Sequence, residues 1–273
     1  MVFYFTGTGN SLYVARSLDS ECVSIPQIMN RKQRIFQAQQ IGIVCPCYGH
    51  ELPQMVQEFI RRSIFACDYL YVIVTYGFAH GNVVDHVLQV FDGSKKQPDL
   101  VRTILMVDNF LPGFDMKEQE AMHKDVEGPL QVIRRQVGEK RHLMEKVTPE
   151  DLKIHRAYAE SVHHQDARCW ANLNFTDLCI GCGLCTKVCP AGCIHLENGK
   201  ALRTGEGCQA CLSCAHVCPE MAIQLLPAYG AAEPNPKARY RNPNVSLSAL
   251  ISSNWQCEDR ESAHAEDKTT ASA

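Results

Sequence analysis

Two short cysteine-rich segments have residue types and spacing suited to binding metal. Cys179–Pro190 has the sequence CIGCGLCTKVCP and Cys208–Pro219 has CQACLSCAHVCP, so both follow the spacing C-x2-C-x2-C-x3-C-P. Soft thiolates are the preferred ligands of iron–sulfur clusters, and in this pattern the fourth cysteine binds the other cluster. The spacing therefore predicts two [4Fe–4S] clusters. The first would be held by Cys179, Cys182, Cys185 and Cys218, and the second by Cys208, Cys211, Cys214 and Cys189.

Zinc is the alternative metal for such cysteines. Four-cysteine zinc sites normally pair two C-x2-C units across a longer gap. Two consecutive triplets, each with a later Cys-Pro, fit that arrangement badly, which favours iron and sulfide. Small residues inside the loops, namely Gly181, Gly183 and Ala210, would let backbone N–H groups approach the cluster sulfur.

A second candidate site follows the first predicted strand. Phe5–Ser11 (FTGTGNS) offers backbone N–H groups, hydroxyls and an amide at the start of a predicted helix, which suits a phosphate. The loop lacks both GK[ST] and GxGxxG, so a phosphate monoester is favoured over a pyrophosphate. A plain strand–helix turn with hydroxyl caps stays the alternative. The candidate phosphate-binding residues are Thr6, Gly7, Thr8, Gly9, Asn10 and Ser11.

Alternating apolar runs and helical patterns predict the strands and helices that position this loop. The predicted strands are Val2–Phe5, Cys22–Ile25, Gln40–Pro46, Tyr69–Tyr76 and Thr103–Asp108, and the helices between them are Asn10–Leu18, Pro53–Ala66 and Asn82–Phe91. This order predicts a parallel five-stranded sheet with helices on both faces. Extra helices are expected at about 115–165, with a break at Gly128-Pro129 and a helix over Pro149–Val162 capped by Thr148.

The N-terminal half resembles the flavodoxins. FTGTGNS after the first strand is similar to their FMN phosphate loop, and the resemblance implies a doubly wound α/β fold with strand order 2-1-3-4-5. Two further loops then lie beyond the carboxyl ends of the third and fourth strands, where the flavin ring would bind. Their candidate contacts are Pro46, Tyr48, Gly49, Thr75, Tyr76, Gly77 and Gly81, with Tyr48 or Tyr76 as the stacking ring.

The whole chain resembles the flavodoxin–ferredoxin fusions known as EFR1 family ferredoxins. The motifs are FYFTGTGNS, PCYGHELP, TYGFAHGN, MVDNFLP, the two cluster motifs and ARYRNPNV, within residues 1–112 and 174–245. The resemblance implies FMN and two [4Fe–4S] clusters on one polypeptide, in anaerobic or facultative metabolism. We expect a flavodoxin-like domain at 1–168, a small α+β ferredoxin-like domain at 169–230, and an extended C-terminal segment at 231–273 that is disordered at its end.

Composition limits the partners. The formal net charge of −3, without a basic stripe, gives no case for nucleic acid. No run approaches 18 apolar residues, so no membrane span is expected. The start MVFYFTGTGNS does not resemble a signal peptide, which predicts a cytoplasmic protein whose clustered cysteines bind metal.

These observations favour an electron carrier that passes electrons between FMN, the clusters and a redox partner protein. The main alternative is a flavin-dependent oxidoreductase that reduces a small molecule or oxygen at FMN. In that case His80, His50 or Cys47 would be the proton donors. A regulatory redox sensor is a third hypothesis, without a DNA-binding motif to support it.

Overall fold

The computed structural model describes residues 1–31, 34–111, 113–163, 173–203, 206–225 and 238–256. Its main unit is a sheet of six parallel strands in the order β2-β1-β4-β6-β7-β8. These strands are β1 (Val2–Tyr4), β2 (Cys22–Ser24), β4 (Gln40–Pro46), β6 (Tyr69–Tyr76), β7 (Leu100–Leu105) and β8 (Leu143–Met144). The first five have the predicted order 2-1-3-4-5, so the flavodoxin-like α/β fold is confirmed.

The sheet departs from the prediction at one edge. The two-residue strand β8 pairs Leu143 with Leu100 and extends the sheet to six strands. The strand β7 begins and ends three residues earlier than the predicted Thr103–Asp108. A two-residue strand carries no alternation pattern, which explains why the sequence did not reveal it.

Alternating side chains in the strands build a core on each face of the sheet. Phe3 and Ile43 lie in one core with Phe59, and Tyr4 and Val44 lie in the other. This is the side-chain period of two that a strand imposes. The helices of this unit are α1 (Asn10–Leu18), α2 (Gln54–Arg61), α3 (Val83–Val90), α4 (Met116–Ala121), α5 (Glu127–Gly138) and α6 (Pro149–His163).

Two helix predictions need correction. Helix α2 stops at Arg61, and Ile64–Ala66 of the predicted helix instead forms strand β5, which pairs in parallel with β3 (Ile35–Gln37). Short apolar runs do not distinguish a strand from a helix end. Gly128-Pro129 is not a break but lies in the first turn of α5, where proline is tolerated. The predicted cap of α6 is present: the Asp151 N–H donates to Thr148 Oγ1 (3.2 Å).

The second unit is small and contains the cysteine motifs. It has strands β9 (Leu173–Phe175), β10 (Ile194–Glu197), β11 (Lys200–Arg203) and β12 (Ile223–Leu225), with helices α7 (Leu184–Lys187) and α8 (Ser213–Val217). Antiparallel pairing joins β9 to β12 and β10 to β11. This is the expected ferredoxin-like α+β unit. The predicted domain boundaries at 168 and 230 lie outside the described residues.

The C-terminal segment returns to the flavodoxin-like unit. An extended conformation is wrong for Leu247–Asn254, which forms helix α9 with a Ser246 cap. Leu250 of this helix is buried in the core that contains Tyr4 and Val44. The expected disorder at the chain end concerns residues outside the described ranges. In the described part of the chain, no helix has both the length and the apolar character that a bilayer span requires.

Candidate functional site

A cavity of about 410 Å³ lies beyond the carboxyl ends of strands β1, β4, β6 and β7. Parallel strands present their carboxyl ends at one edge, and open α/β sheets bind ligands there. Of the thirteen candidate flavin residues, all except Gly9 and Gly81 line it. The predicted lining residues are Thr6, Gly7, Thr8, Asn10, Ser11, Pro46, Tyr48, Gly49, Thr75, Tyr76 and Gly77.

The loop predicted to hold a phosphate is fixed by its own side chains. Gly9 has a left-handed φ of 105°, and its N–H donates to Thr6 Oγ1 (3.1 Å). The hydroxyls of Ser11 and Thr75 are 2.9 Å apart, which joins β1–α1 to β6. The N–H groups of Asn10 and Ser11 lie in the first turn of α1, where a helix supplies no acceptor. This loop therefore suits an anion.

The side chain of Asn10 has a different role from the one expected. Its Nδ2 donates to the Val107 carbonyl (3.0 Å), and its Oδ1 accepts from Tyr240 Oη (2.7 Å) and Asn242 Nδ2 (3.1 Å). These three bonds tie the loop to the segment after β7 and to the C-terminal segment. A phosphate would therefore meet the backbone of Asn10 and not its amide.

Tyr48 forms part of the cavity wall. Its ring packs nearly perpendicular to Phe5 at a centroid distance of 6.4 Å. Its hydroxyl is buried and has no hydrogen-bond partner among the described residues. Burial raises the pKa of this hydroxyl well above its ordinary value. A buried O–H without an acceptor fits a ligand that supplies one, as the oxygens of FMN would. Tyr76 instead packs its edge against His80, with centroids 4.9 Å apart.

Sequence reasoning missed several residues that line the cavity. Ile154 and Tyr158 reach it from helix α6, and Phe110 and Phe114 reach it from the segment after β7. Asp108 also lines it, and its Oδ1 accepts from the Phe110 N–H (2.8 Å). Burial raises the pKa of the Asp108 carboxyl, although nearby Lys124 lowers it. Asp108 could have been found, because it is the last residue of the predicted strand Thr103–Asp108. The helical pattern of α6 gave no such signal.

The cysteines assigned to the first cluster lie together. Cys179, Cys182, Cys185 and Cys218 line one small cavity in the second unit. Burial, together with the nearby thiols of the other three cysteines, raises the pKa of the Cys185 thiol to about 11. Backbone N–H groups already point at two of the sulfurs, from Ala201 to Cys179 and from Ala222 to Cys218, both at 3.3 Å.

The cysteines assigned to the second cluster form a deeper group. Cys214 is buried, which raises the pKa of its thiol, and the neighbouring thiols of Cys211, Cys189 and Cys208 raise it further. No three His, Cys, Asp or Glu side chains in the described ranges converge on a point where a single ion could sit. A [4Fe–4S] cluster does not need such convergence, since each cysteine binds a different iron atom.

The backbone repeats between the two motifs. Gly181 and Gly183 have φ of 71° and 73°, and the equivalent residues Ala210 and Leu212 have φ of 50° and 57°. Left-handed φ is uncommon for residues other than glycine, and such strain is found at functional sites. The second loop thus keeps the conformation of the first without its glycines. Leu212 is the member of this set that sequence reasoning missed.

The second cysteine loop forms one wall of the large cavity. Ala210 and Leu212 line it, and a Cβ on Gly7 would lie 2.5 Å from the Cys211 carbonyl oxygen. Gln209 Oε1 also accepts from the Met55 N–H (2.8 Å) at the start of α2. The loop that carries Cys211, a cysteine assigned to the second cluster, is therefore in van der Waals contact with the loop predicted to hold a phosphate.

Helix α8 connects the two candidate sites through His216. Its Nδ1 accepts from the Tyr240 N–H (3.0 Å), so its Nε2–H donates to the Asn109 carbonyl (2.8 Å). The same C-terminal segment binds the first loop, with the Asn242 N–H donating to the Thr8 carbonyl (2.9 Å). Asn254 Nδ2 donates to the Thr6 carbonyl (3.0 Å). ARYRNPNV, singled out in the sequence, thus holds both sites in place.

Comparison with known proteins identifies the cysteine-rich unit. Residues 172–222 match the family described as 4Fe-4S dicluster domain, so this part of the chain is a 4Fe–4S ferredoxin domain. A ferredoxin of Pyrobaculum islandicum is 41% identical over 64 residues, covering 23% of this chain and 55% of that protein. One component of an ion-translocating oxidoreductase complex from Methanosarcina acetivorans is 47% identical over 47 residues, covering 17% of this chain and 18% of that protein.

A solved structure also aligns with this chain. A protein from Bacteroides uniformis, described as a candidate flavoprotein, aligns with 46% of this chain and 97% of its own, with 14% identity and a TM-score of 0.30. So low a TM-score supports no functional argument. The chain spans about half of the ferredoxin's length and under a fifth of the complex component's, and the matches to both are short.

Proposed function

We propose that this chain is an electron-transfer protein that binds two [4Fe–4S] clusters and one FMN and exchanges electrons with a protein partner. The observation that carries the proposal is the contact between Gly7 and the Cys211 carbonyl oxygen. It supports the proposal because Cys211, a cysteine assigned to the second cluster, then lies beside the loop that lines the cavity at the edge of the parallel sheet. FMN can exchange two electrons while each cluster exchanges one, so their proximity would couple the two kinds of transfer.

The residues of the cavity suit FMN. The backbone at Thr8–Ser11 would receive the phosphate, because two of its N–H groups begin a helix. The buried hydroxyl of Tyr48 would donate to a flavin or ribityl oxygen. Phe78 is 71% exposed at the cavity mouth, where a ring would pack over the outer face of a bound flavin. When bound, FMN supplies the two-electron chemistry, and these residues supply position and exclude water.

The first cluster would be the contact point for the partner. Cys182 is exposed, and the adjacent side chains Leu178 and Ile180 are 62% and 63% exposed. Large apolar side chains at this exposure mark a surface that a second protein can cover. Electrons would pass from this surface through the first cluster to the second, and then to FMN, or in the reverse direction. The donor set would be all thiolate, as is usual for [4Fe–4S] clusters.

Anaerobic purification with iron, sulfide and flavin assays tests this proposal. We expect about eight iron and eight sulfide per chain from the ligand count, with one releasable FMN. Cys182→Ala should remove the first cluster, leaving about four iron, and should keep FMN bound. A folded, cluster-loaded chain that does not bind FMN at micromolar concentration would refute the flavin part. A chain that retains zinc in place of iron would refute the cluster part.

A flavin-dependent oxidoreductase is favoured by one observation. Helix α6 covers part of the cavity with Ile154 and Tyr158, which makes it more enclosed than two loops alone would. Enclosure excludes water, as reduction of a small molecule at the flavin requires. Steady turnover with a defined small molecule, in the absence of any protein partner, would select this function over electron transfer alone.

A further inference from the structure

Helix α6 brings a second histidine to the rim of the cavity. His50 lines the cavity and is 7% exposed, and its Nδ1 lies 3.3 Å from Nδ1 of His155 on α6. Their ring centroids are 5.5 Å apart. His155 is half-buried, so part of this residue meets solvent. The two hydrogen-bonded rings therefore link a partly exposed residue to the cavity wall.

The direction of this hydrogen bond depends on the tautomers of the two rings. A neutral imidazole has one N–H, so a bond between two Nδ1 atoms needs one donor and one acceptor. When His155 Nδ1–H donates, His50 Nδ1 is the acceptor and its hydrogen lies on Nε2. His50 can then release a proton from Nε2 while it takes another at Nδ1. A chain of this kind carries protons without holding a charge.

The surroundings keep His50 neutral. The groups that face it are His155, Asp151 and Tyr158 from α6 and His80 from the loop before α3. Burial, helped by both neighbouring histidines and opposed by Asp151, lowers the pKa of His50 to about 4. Asp151 lies 3.6 Å from His80 Nε2 and is fixed by the capping contacts with Thr148. A neutral His50 has one donor and one acceptor, as a relay requires.

The backbone positions the His50 ring at some conformational cost. His50 has φ of 68°, in the left-handed region, where residues other than glycine are uncommon. Gly81, which the sequence suggested as a flavin contact, instead makes room for this ring: a Cβ there would lie 2.5 Å from His50 Cγ. Strain of this kind is retained at functional sites. Two loops and α6 thus combine to hold one imidazole at the cavity wall.

We propose that His155 and His50 form a proton relay from solvent to FMN in the cavity. The proposal rests on the proposed function, since FMN must bind there. Two reduced clusters each give one electron, and His50 gives one proton, which together yield the anionic two-electron-reduced flavin. His50 regains its proton from His155, and His155 takes one from water. Both clusters end oxidised by one electron.

The test uses the full-length, cluster-loaded protein with FMN bound. The clusters are reduced anaerobically, and the rate of flavin bleaching is followed in H2O and in D2O. His155→Gln should slow the proton-coupled rate by about 100-fold and abolish its solvent isotope effect, because general acid catalysis contributes on this scale. Added imidazole should restore part of the rate. His142→Gln, at an exposed side chain just before β8, should behave as the wild type.

A second measurement does not depend on flavin reduction. Nitrogen chemical shifts in the oxidised, flavin-free, cluster-loaded protein report the tautomer of His50, which should change in His155→Gln and in His155→Asn. An unchanged rate and an unchanged tautomer in both variants would overturn the relay while leaving the proposed function intact. Failure of the wild-type protein to bind FMN would overturn both.

Discussion

The substitution Gly7→Ala tests the contact between the two units most sharply. A Cβ at this position would lie 2.5 Å from the Cys211 carbonyl oxygen and 3.3 Å from Cys211 Cβ, and 3.0 Å from the Tyr48 hydroxyl. Ordinary contact begins at 3.4 Å, so the methyl group is about 0.9 Å too close to a backbone atom. The tyrosine could rotate, but the carbonyl cannot move without shifting the cysteine loop.

The expected cost follows from overpacking. Insertion of one methyl group into a well-packed contact typically destabilises by about 1–3 kcal/mol. The thermal midpoint of the cluster-loaded, flavin-free protein should therefore fall by several degrees. If FMN binding adds further strain of the same size, beyond that in the free protein, the FMN dissociation constant should rise by about 5- to 150-fold. Thermal unfolding and fluorescence titration with FMN measure these two effects separately.

Gly138→Ala is the matched control. Gly138 lies at the end of α5 and has open space around its Cβ position. Alanine there should leave FMN affinity unchanged and should stabilise the helix slightly. A Gly7→Ala protein with wild-type unfolding and wild-type FMN affinity would show that the two loops are not in contact, and the reasoning from Cys211 would be wrong.

Three further predictions follow from the same arrangement. Cys218→Ala should remove the same cluster as Cys182→Ala, because in the crossed assignment the fourth cysteine of each motif binds the other cluster. Iron content and electron paramagnetic resonance measure this, and loss of the second cluster would reject the crossed assignment. Asn254→Ala should weaken FMN binding by about 1–3 kcal/mol without touching the ligand, because the Thr6 carbonyl loses its donor. Ser252→Ala, at an exposed residue of the same helix, is its control. Equal FMN titration curves for the two variants would contradict the role of Asn254. His50→Gln should flatten the pH dependence of the unfolding free energy between pH 6.5 and about 4. The reason is that the unfolded histidine binds a proton in this range and the folded one does not. Denaturant unfolding across that range measures this, and a wild-type slope of unfolding free energy against pH in the variant would contradict the prediction.

The sequence predicted the features that depend on local patterns. Cysteine spacing predicted the 4Fe–4S domain that the family match shows at residues 172–222, because thiolate geometry depends on separations of a few residues. The runs Gln40–Pro46 and Tyr69–Tyr76 are long and apolar enough to be recognised as strands, and the structure has strands at those bounds. Once these strands are placed, the position of the cavity follows from the parallel topology.

The missed features depend on contacts between distant parts of the chain. Tyr158 reaches the cavity from 110 residues beyond Tyr48, and its helix shows only an ordinary helical pattern. The Asn10 amide is indistinguishable in sequence from a phosphate ligand, but tertiary packing places Tyr240 and Asn242 against it. Gly81 resembles a flavin contact in sequence, but in the structure the His50 ring occupies the space that a side chain at position 81 would need.

The central claim is that electrons pass within one chain between the second cluster and FMN in the cavity. The most direct measurement reduces the clusters of the cluster-loaded, flavin-bound protein rapidly, without mediators, and follows flavin absorbance at several protein concentrations. We predict that the flavin bleaches as cluster absorbance recovers, in first-order steps whose rate does not depend on protein concentration. Bound flavin that stays oxidised beside reduced clusters until a mediator is added would contradict the claim.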